Sequence, residues 1–348
     1  MQEELRCRGM QKMLNAFTLL ILTVIIALIF DLANGWHDGA NSISVIVYTG
    51  GLRPHPAVVM SAIFNFVGPF VVGTTVAKTI GTEVIPEGKI TTVIILAALI
   101  SAITWDILTW VWGLPVSSSH ALIGGLVGAG VASYGIYGVK WYGLIEKVII
   151  PLATSPLIGL FIGFLAMKGL SKLKNKFSNP NKLDKYFNHS QIPLAAFLSL
   201  SHGANDAQKT MGIIAMVLAA YYAIPFHVPM WVMVSCAMAM AVGTYLDIKI
   251  WRIVKTLGEK VTHLEPIHGC SANLSSSLII FLASLLGAPV STTHVVTSSI
   301  AGVGVASGLS RVNWRVFRDV ILAWVTTLPF CIGFSALTYI SLIKIFHF

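Results

Sequence analysis

Long apolar runs dominate this sequence and leave few folds open to it. They lie near 16–33, 56–77, 90–112, 143–167, 192–222, 228–251, 274–288 and 318–346. About 20 such residues span the hydrocarbon of a bilayer as a helix. Only 11% of the 348 residues are charged and the mean hydropathy is +0.80, a balance no soluble chain of this length carries. The chain therefore reads as an all-α polytopic protein of the cell membrane. Two glycine-rich stretches, 121–139 and 295–309, cross only in part, as re-entrant-like hairpins, and bring the expectation to roughly ten to twelve membrane segments.

The remaining composition excludes several classes. The net charge of +9 is carried mainly by inter-span lysines and arginines, as membrane orientation requires, and not by a nucleic-acid surface. Cys7, Cys236, Cys270 and Cys331 show neither zinc nor disulfide spacing. Arg6, Arg8 and Lys12 precede an apolar run as in a signal peptide, but no clear small-residue cleavage site closes it. No phosphate-binding Gly-x-x-x-x-Gly-Lys-Ser/Thr loop occurs, so the sequence carries no ATP-hydrolysis motif of that kind.

One short stretch occurs twice. Pro115-Val116-Ser117-Ser118-Ser119-His120 returns 174 residues later as Pro289-Val290-Ser291-Thr292-Thr293-His294. Gly128, Gly130, Val131 and Ala132 recur as Gly302, Gly304, Val305 and Ala306 at the same offset. The proline suits the first turn of a helix, so each copy reads as a helix start. Free N–H groups and hydroxyl donors at two facing helix starts would make an anion site. The bland alternative is that these hydroxyls only satisfy backbone inside a bundle.

Two other signals recur in the same order. The first apolar run is broken by residues 31–41, which include Asn34-Gly35-Trp36-His37-Asp38, and a later run is broken by Ser201-His202-Gly203-Ala204-Asn205-Asp206. Both are read as helices unwound at membrane depth. Pairing Asn34-Gly35 with His202-Gly203 superposes Asp38 on Asp206; a rival register matches Gly39-Ala40-Asn41 with Gly203-Ala204-Asn205. Val76 to Gly81 is echoed by Ile253 to Gly258. The chain thus divides into a first membrane repeat, 14–167, a basic linker, 168–191, and a second repeat, 192–346. Six lysines against one acid place the linker in the cytoplasm. Duplicated halves with interrupted helices point to a secondary transporter.

An ionisable group at membrane depth is a functional candidate. Asp38 with Asn41, and Asp206 with Asn205 and Gln208, offer hard oxygens to a small cation, unless the acids cap helices or sit at the interface. Their amide company favours sodium over a proton, which would want a carboxyl in an apolar pocket. Two acids and an anion repel one another in a low dielectric unless cations arrive as well, which is the logic of a symporter. Lys209 either faces the anion or snorkels to the surface. His120 and His294 either donate to the anion or bond a neighbouring helix, and Lys78 and Lys255 read as loop or interface lysines. Rival readings are an anion channel and an intramembrane hydrolase with Ser117 or Ser291 activated by histidine.

At these residues the chain resembles the inorganic phosphate transporter family. Asn34 to Asn41 is similar to that family's first signature, Ser201 to Thr210 to its second, and both Pro-Val-Ser-x-x-His stretches match. The resemblance runs from about Leu28 to Ser307. It implies two inverted-topology repeats, phosphate as substrate, co-transport with sodium or protons, and a homodimer. Relatives that carry sulfate also exist. By position it implies Asp38, Asn41, Asp206 and Gln208 as cation or substrate ligands. Ser117, Ser118, Ser119, Ser291, Thr292 and Thr293 would bind phosphate. Some members carry acids where this chain has Asn65 and Asn273. No resident cofactor is expected.

Overall fold

The computed structural model describes residues 2–176, 180–246 and 252–346. Residues 177–179 of the expected linker lie outside this description, as do the side chains of Arg6, Cys7, Arg8, Lys12 and Lys182. Among the described residues thirteen α-helices follow in order: α1 Gln2–Tyr48, α2 Pro54–Val72, α3 Thr75–Glu83, α4 Thr92–Trp112, α5 Ser118–Tyr134, α6 Trp141–Leu144, α7 Ile150–Lys174, α8 Pro180–Tyr222, α9 Met230–Leu246, α10 Arg252–Lys255, α11 Pro266–Leu285, α12 Thr292–Ser307 and α13 Trp314–Phe346. Among the described residues, seven helical stretches are long and apolar enough to cross a membrane: Ala16–Tyr48, Pro54–Val72, Thr92–Trp112, Ser118–Gly138, Trp141–Lys174, Pro266–Leu285 and Trp314–Ile345. Met230–Leu246 is apolar but shorter, and the 43-residue α8 carries the polar stretch Ser201–Thr210 in its interior. The chain is an all-helical, multi-pass membrane protein.

Both Pro-Val-Ser stretches start helices, though not through their prolines. Ser117 is the N-cap of α5, its hydroxyl accepting from the His120 N–H at 3.1 Å. Ser291 caps α12 in the same way at 3.2 Å. Pro115 and Pro289 lie upstream of the caps, outside the helices. A capping hydroxyl satisfies one of the donors a helix leaves open at its start.

The two polar breaks are not unwound. α1 runs continuously through residues 31–41 and α8 through Ser201–Thr210. Several of their side chains, Asp38, Asp206, Gln208 and Lys209 among them, are hydrogen-bonded to other helices while the backbone stays helical. Gly35 and Gly203 serve close approach instead. A side-chain carbon at Gly35 would overlap the Met240 carbonyl oxygen, and one at Gly203 that of Asn65. This shared role supports the register that pairs Gly35 with Gly203 and Asp38 with Asp206. The helical interruptions fall elsewhere: at Gly73 between α2 and α3, and at π-turns over Ile145–Ile149 and Thr256–Lys260.

The packing repeats as the sequence does. α1 lies on α9 as α8 lies on α2, and α5 lies on α13 as α12 lies on α7. The last helix of each half therefore packs on the broken pair of the other half, α7 on α11 and α12, α13 on α4 and α5. α1 and α8 pack together at the centre. That contact brings the two polar stretches face to face.

Candidate functional site

Asp38 on α1 and Asp206 on α8 come together. One carboxylate oxygen of each and a ring nitrogen of His202 all lie within 4.8 Å of one another, and all three residues are buried. The starts of α5 and α12 close on this pair. Ser118 donates to Asp38 Oδ2 at 3.3 Å and Thr293 to Asp38 Oδ1 at 3.2 Å. Thr292 donates to Asp206 Oδ2 at 3.1 Å. Negative charge is favoured at a helix N-terminus, where the backbone donors and the dipole point outward. The expected cation acids and the expected anion hydroxyls are thus one site.

Lys209 faces this site and does not snorkel. Its ammonium donates to Asp206 Oδ1 at 2.6 Å, to Ser119 Oγ at 2.5 Å and to the Val290 carbonyl at 3.1 Å. Ser119 in turn donates to Val290 O at 3.3 Å, which ties the start of α5 to the chain just before α12. His37 Nδ1 lies 2.7 Å from Asp38 Oδ1. His202 Nε2 lies 3.5 Å from Asp206 Oδ2, outside hydrogen-bond geometry, while its Nδ1 is 3.1 Å from Asn65 Oδ1. Asn65, further held by Thr244 at 3.0 Å, therefore orients the His202 ring toward the acids.

The amides divide. Asn41 donates to Thr293 Oγ1 at 2.9 Å and keeps its Oδ1 buried without a partner. Asn205 donates to Ser284 Oγ at 2.9 Å, and its Oδ1 is also unpartnered. Both carbonyl oxygens remain available to a cation. Gln208 is engaged elsewhere: its Oε1 accepts from the N–H groups of Val76 and Ala77 at 2.9 and 3.2 Å, and its Nε2 donates to Ala204 O at 2.6 Å. Through these bonds it caps α3. Ser117 and Ser291 accept as helix caps, which leaves their own O–H groups as donors.

His120 and His294 pack on one another with ring centroids 4.7 Å apart, and His294 stacks on Trp324 at 3.9 Å. They brace the two helix starts. Ser117 Oγ and His120 Nδ1 are 2.8 Å apart, yet no carboxylate among the described residues bonds His120, so the third member of a hydrolytic arrangement is missing. Lys78 and Lys255 are exposed.

Sequence reasoning passed over His37, His202 and the orienting role of Asn65. The doubled histidine-acid pattern, His37-Asp38 and His202 one turn before Asp206, was the signal for the first two.

With this geometry in place, comparison with known proteins assigns the fold. The sequence profile of the phosphate transporter family matches residues 34–335. The chain belongs to that family. It is 46% identical over 328 residues to a probable low-affinity inorganic phosphate transporter of Rhizobium meliloti (strain 1021), covering 94% of this chain and 97% of that one. To the protein of the same description from Bacillus subtilis (strain 168) it is 43% identical over 332 residues, covering 94% and 98%. A solved structure, described as the sodium-dependent phosphate transporter, superposes with a TM-score of 0.84 at 26% identity, over 94% of this chain and all of that one. The family consists of transporters, and its match spans both signatures, both hydroxyl runs and nearly every helix described above.

Proposed function

We propose that this chain is a secondary active symporter that takes up inorganic phosphate together with sodium. One observation carries the reading: Ser118, Thr292 and Thr293, the donors an anion would use, are hydrogen-bonded to Asp38 and Asp206. The carboxylates hold the place of the anion. A cation between the acids, with the free oxygens of Asn41 and Asn205, draws them off the hydroxyls and cancels the charge that repels phosphate. Lys209 and the starts of α5 and α12 then meet the phosphate oxygens. Cation and anion binding reinforce each other because they share the same carboxylates. The relatives named for phosphate and the neighbour named for sodium dependence support this reading.

Alternating access around the site follows from two repeats of inverted topology, 14–167 and 192–346, joined by a cytoplasmic linker at 168–191. Asp38 meets Asp206, while Asp31, seven residues earlier, lies beside Thr210, four residues later. The equivalent helices α1 and α8 thus run in opposite directions, which favours inversion. The working assembly is a homodimer.

The test is equilibrium binding of radiolabelled phosphate to purified protein in sodium and in potassium. Sodium is expected to raise the affinity about tenfold or more, in the range of ordinary coupling energies. Equal affinity in both salts would remove the sodium reading. His202 favours a second reading, in which its imidazole and the two carboxylates hold a divalent metal that travels with phosphate. Manganese or zinc, in place of sodium, would then enhance phosphate binding, and His202→Ala would abolish the enhancement.

A further inference from the structure

Asp31 is the most enclosed acid that the proposed cycle does not use. It lies on α1 and is 0% exposed, and neither carboxylate oxygen has a hydrogen-bond partner. The Thr210 hydroxyl of α8 and the Cys236 thiol of α9 lie beside it without reaching hydrogen-bond geometry. Thr210 Oγ1 is itself buried and unpartnered, and so is Asn34 Oδ1, one turn along α1 from Asp31. Four buried oxygens without hydrogen-bond partners thus lie at Asp31, beside it on α8, or one turn from it on α1.

A charged carboxylate sealed from water needs a counter-charge or donors. The other charged groups bearing on Asp31 are Asp206 and Lys209, and the Lys209 ammonium is already engaged with Asp206, Ser119 and Val290. From α9 comes only the weakly polar Cys236 thiol. We propose that Asp31, Thr210 and Asn34 form a second monovalent-cation site, separate from the Asp38–Asp206 pair. Its occupant is sodium or a proton: both neutralise the carboxylate, and hard oxygens suit both. Asp31, Asn34 and Asp38 fall on one face of α1, and seven residues at 1.5 Å put Asp31 about 10 Å along the helix from Asp38. The two sites therefore lie along one stripe of α1.

This inference adds an ion to the proposed symport but does not require the first site to be correct, and the experiment keeps the two apart. Purified wild type, Asp31→Asn, Thr210→Val and Asp38→Asn are titrated with radioactive sodium at fixed pH. The same proteins in vesicles take up labelled phosphate under a sodium or a proton gradient. If sodium is the occupant, Asp31→Asn binds one ion fewer per chain while the remaining binding keeps its affinity. If it is a proton, sodium binding is unchanged and the response to the proton gradient is lost. An Asp31→Asn variant that matches wild type in both assays overturns the site. Thr210→Val keeps the shape and removes only the hydroxyl, so it carries the test if Asp31→Asn does not fold. It should weaken the cation dependence several-fold, and wild-type dependence there also overturns the site. Asp38→Asn retaining every ion would sink the acid-pair reading and leave this one standing.

Discussion

Lys209 joins three elements through one ammonium: Asp206 on its own helix, Ser119 on α5 and the chain before α12. Removing one partner of a buried pair leaves the other charge uncompensated, at about 3–5 kcal/mol. Lys209→Met should therefore unfold at markedly lower temperature in detergent, and adding Asp206→Asn should recover much of the loss. A double variant as unstable as the sum of the singles would mean the two groups are not coupled. The hydroxyls make a smaller, functional contribution. Ser118→Ala or Thr292→Ala deletes one charge-assisted donor, about 1.5–3 kcal/mol, so phosphate affinity should fall about tenfold or more. Alanine suits a helix and the fold should survive; unchanged phosphate binding in both variants would leave these residues a structural role only.

Among the elements, α1 and α8 show where reading from sequence stops. The helix starts at Ser118 and Thr292 were legible, because a hydroxyl triplet ahead of a glycine-rich run has few other uses. Asp38 and Asp206 were legible as candidates, because ionisable groups are costly at that depth. Their convergence was not, since it depends on α1 packing on α8 across 168 residues of chain. Nor could Gln208 be seen as a cap while the position of α3 was unknown. The glycines misled for a related reason: glycine weakens an isolated helix, but here it admits a neighbouring backbone. The two explanations predict opposite results for Gly35→Ala and Gly203→Ala. Alanine would stabilise a helix that glycine merely weakens, by about 1 kcal/mol. Against the Met240 and Asn65 backbones it should instead destabilise, by about 1–3 kcal/mol, in thermal unfolding. Gln208→Ala should likewise lower thermal stability while leaving the sodium dependence of phosphate binding near that of wild type.

Over the whole molecule, α7 packs on α11 and α12 and α13 on α4 and α5, which ties the two ends of the chain together around the acid pair. In the proposed mechanism both halves move as access alternates, so the orientation of each half can be tested. Tyr186, at the start of α8, is 66% exposed, and in the proposed topology it belongs to the cytoplasmic linker. With Cys7 replaced by serine, the described native cysteines are all buried. A cysteine at position 186 should then react with an impermeant reagent only in inside-out vesicles, and labelling from outside intact cells would reverse the topology. Gradient-driven accumulation tests the central claim most directly, that cations at Asp38 and Asp206 release the hydroxyls to phosphate. Phosphate uptake into proteoliposomes is measured with an imposed sodium gradient, a proton gradient, or neither. The account predicts that a sodium gradient concentrates phosphate above its outside level and that Asp38→Asn and Asp206→Asn abolish this. Phosphate that only equilibrates, whatever the sodium gradient, would make the protein a channel and contradict the account.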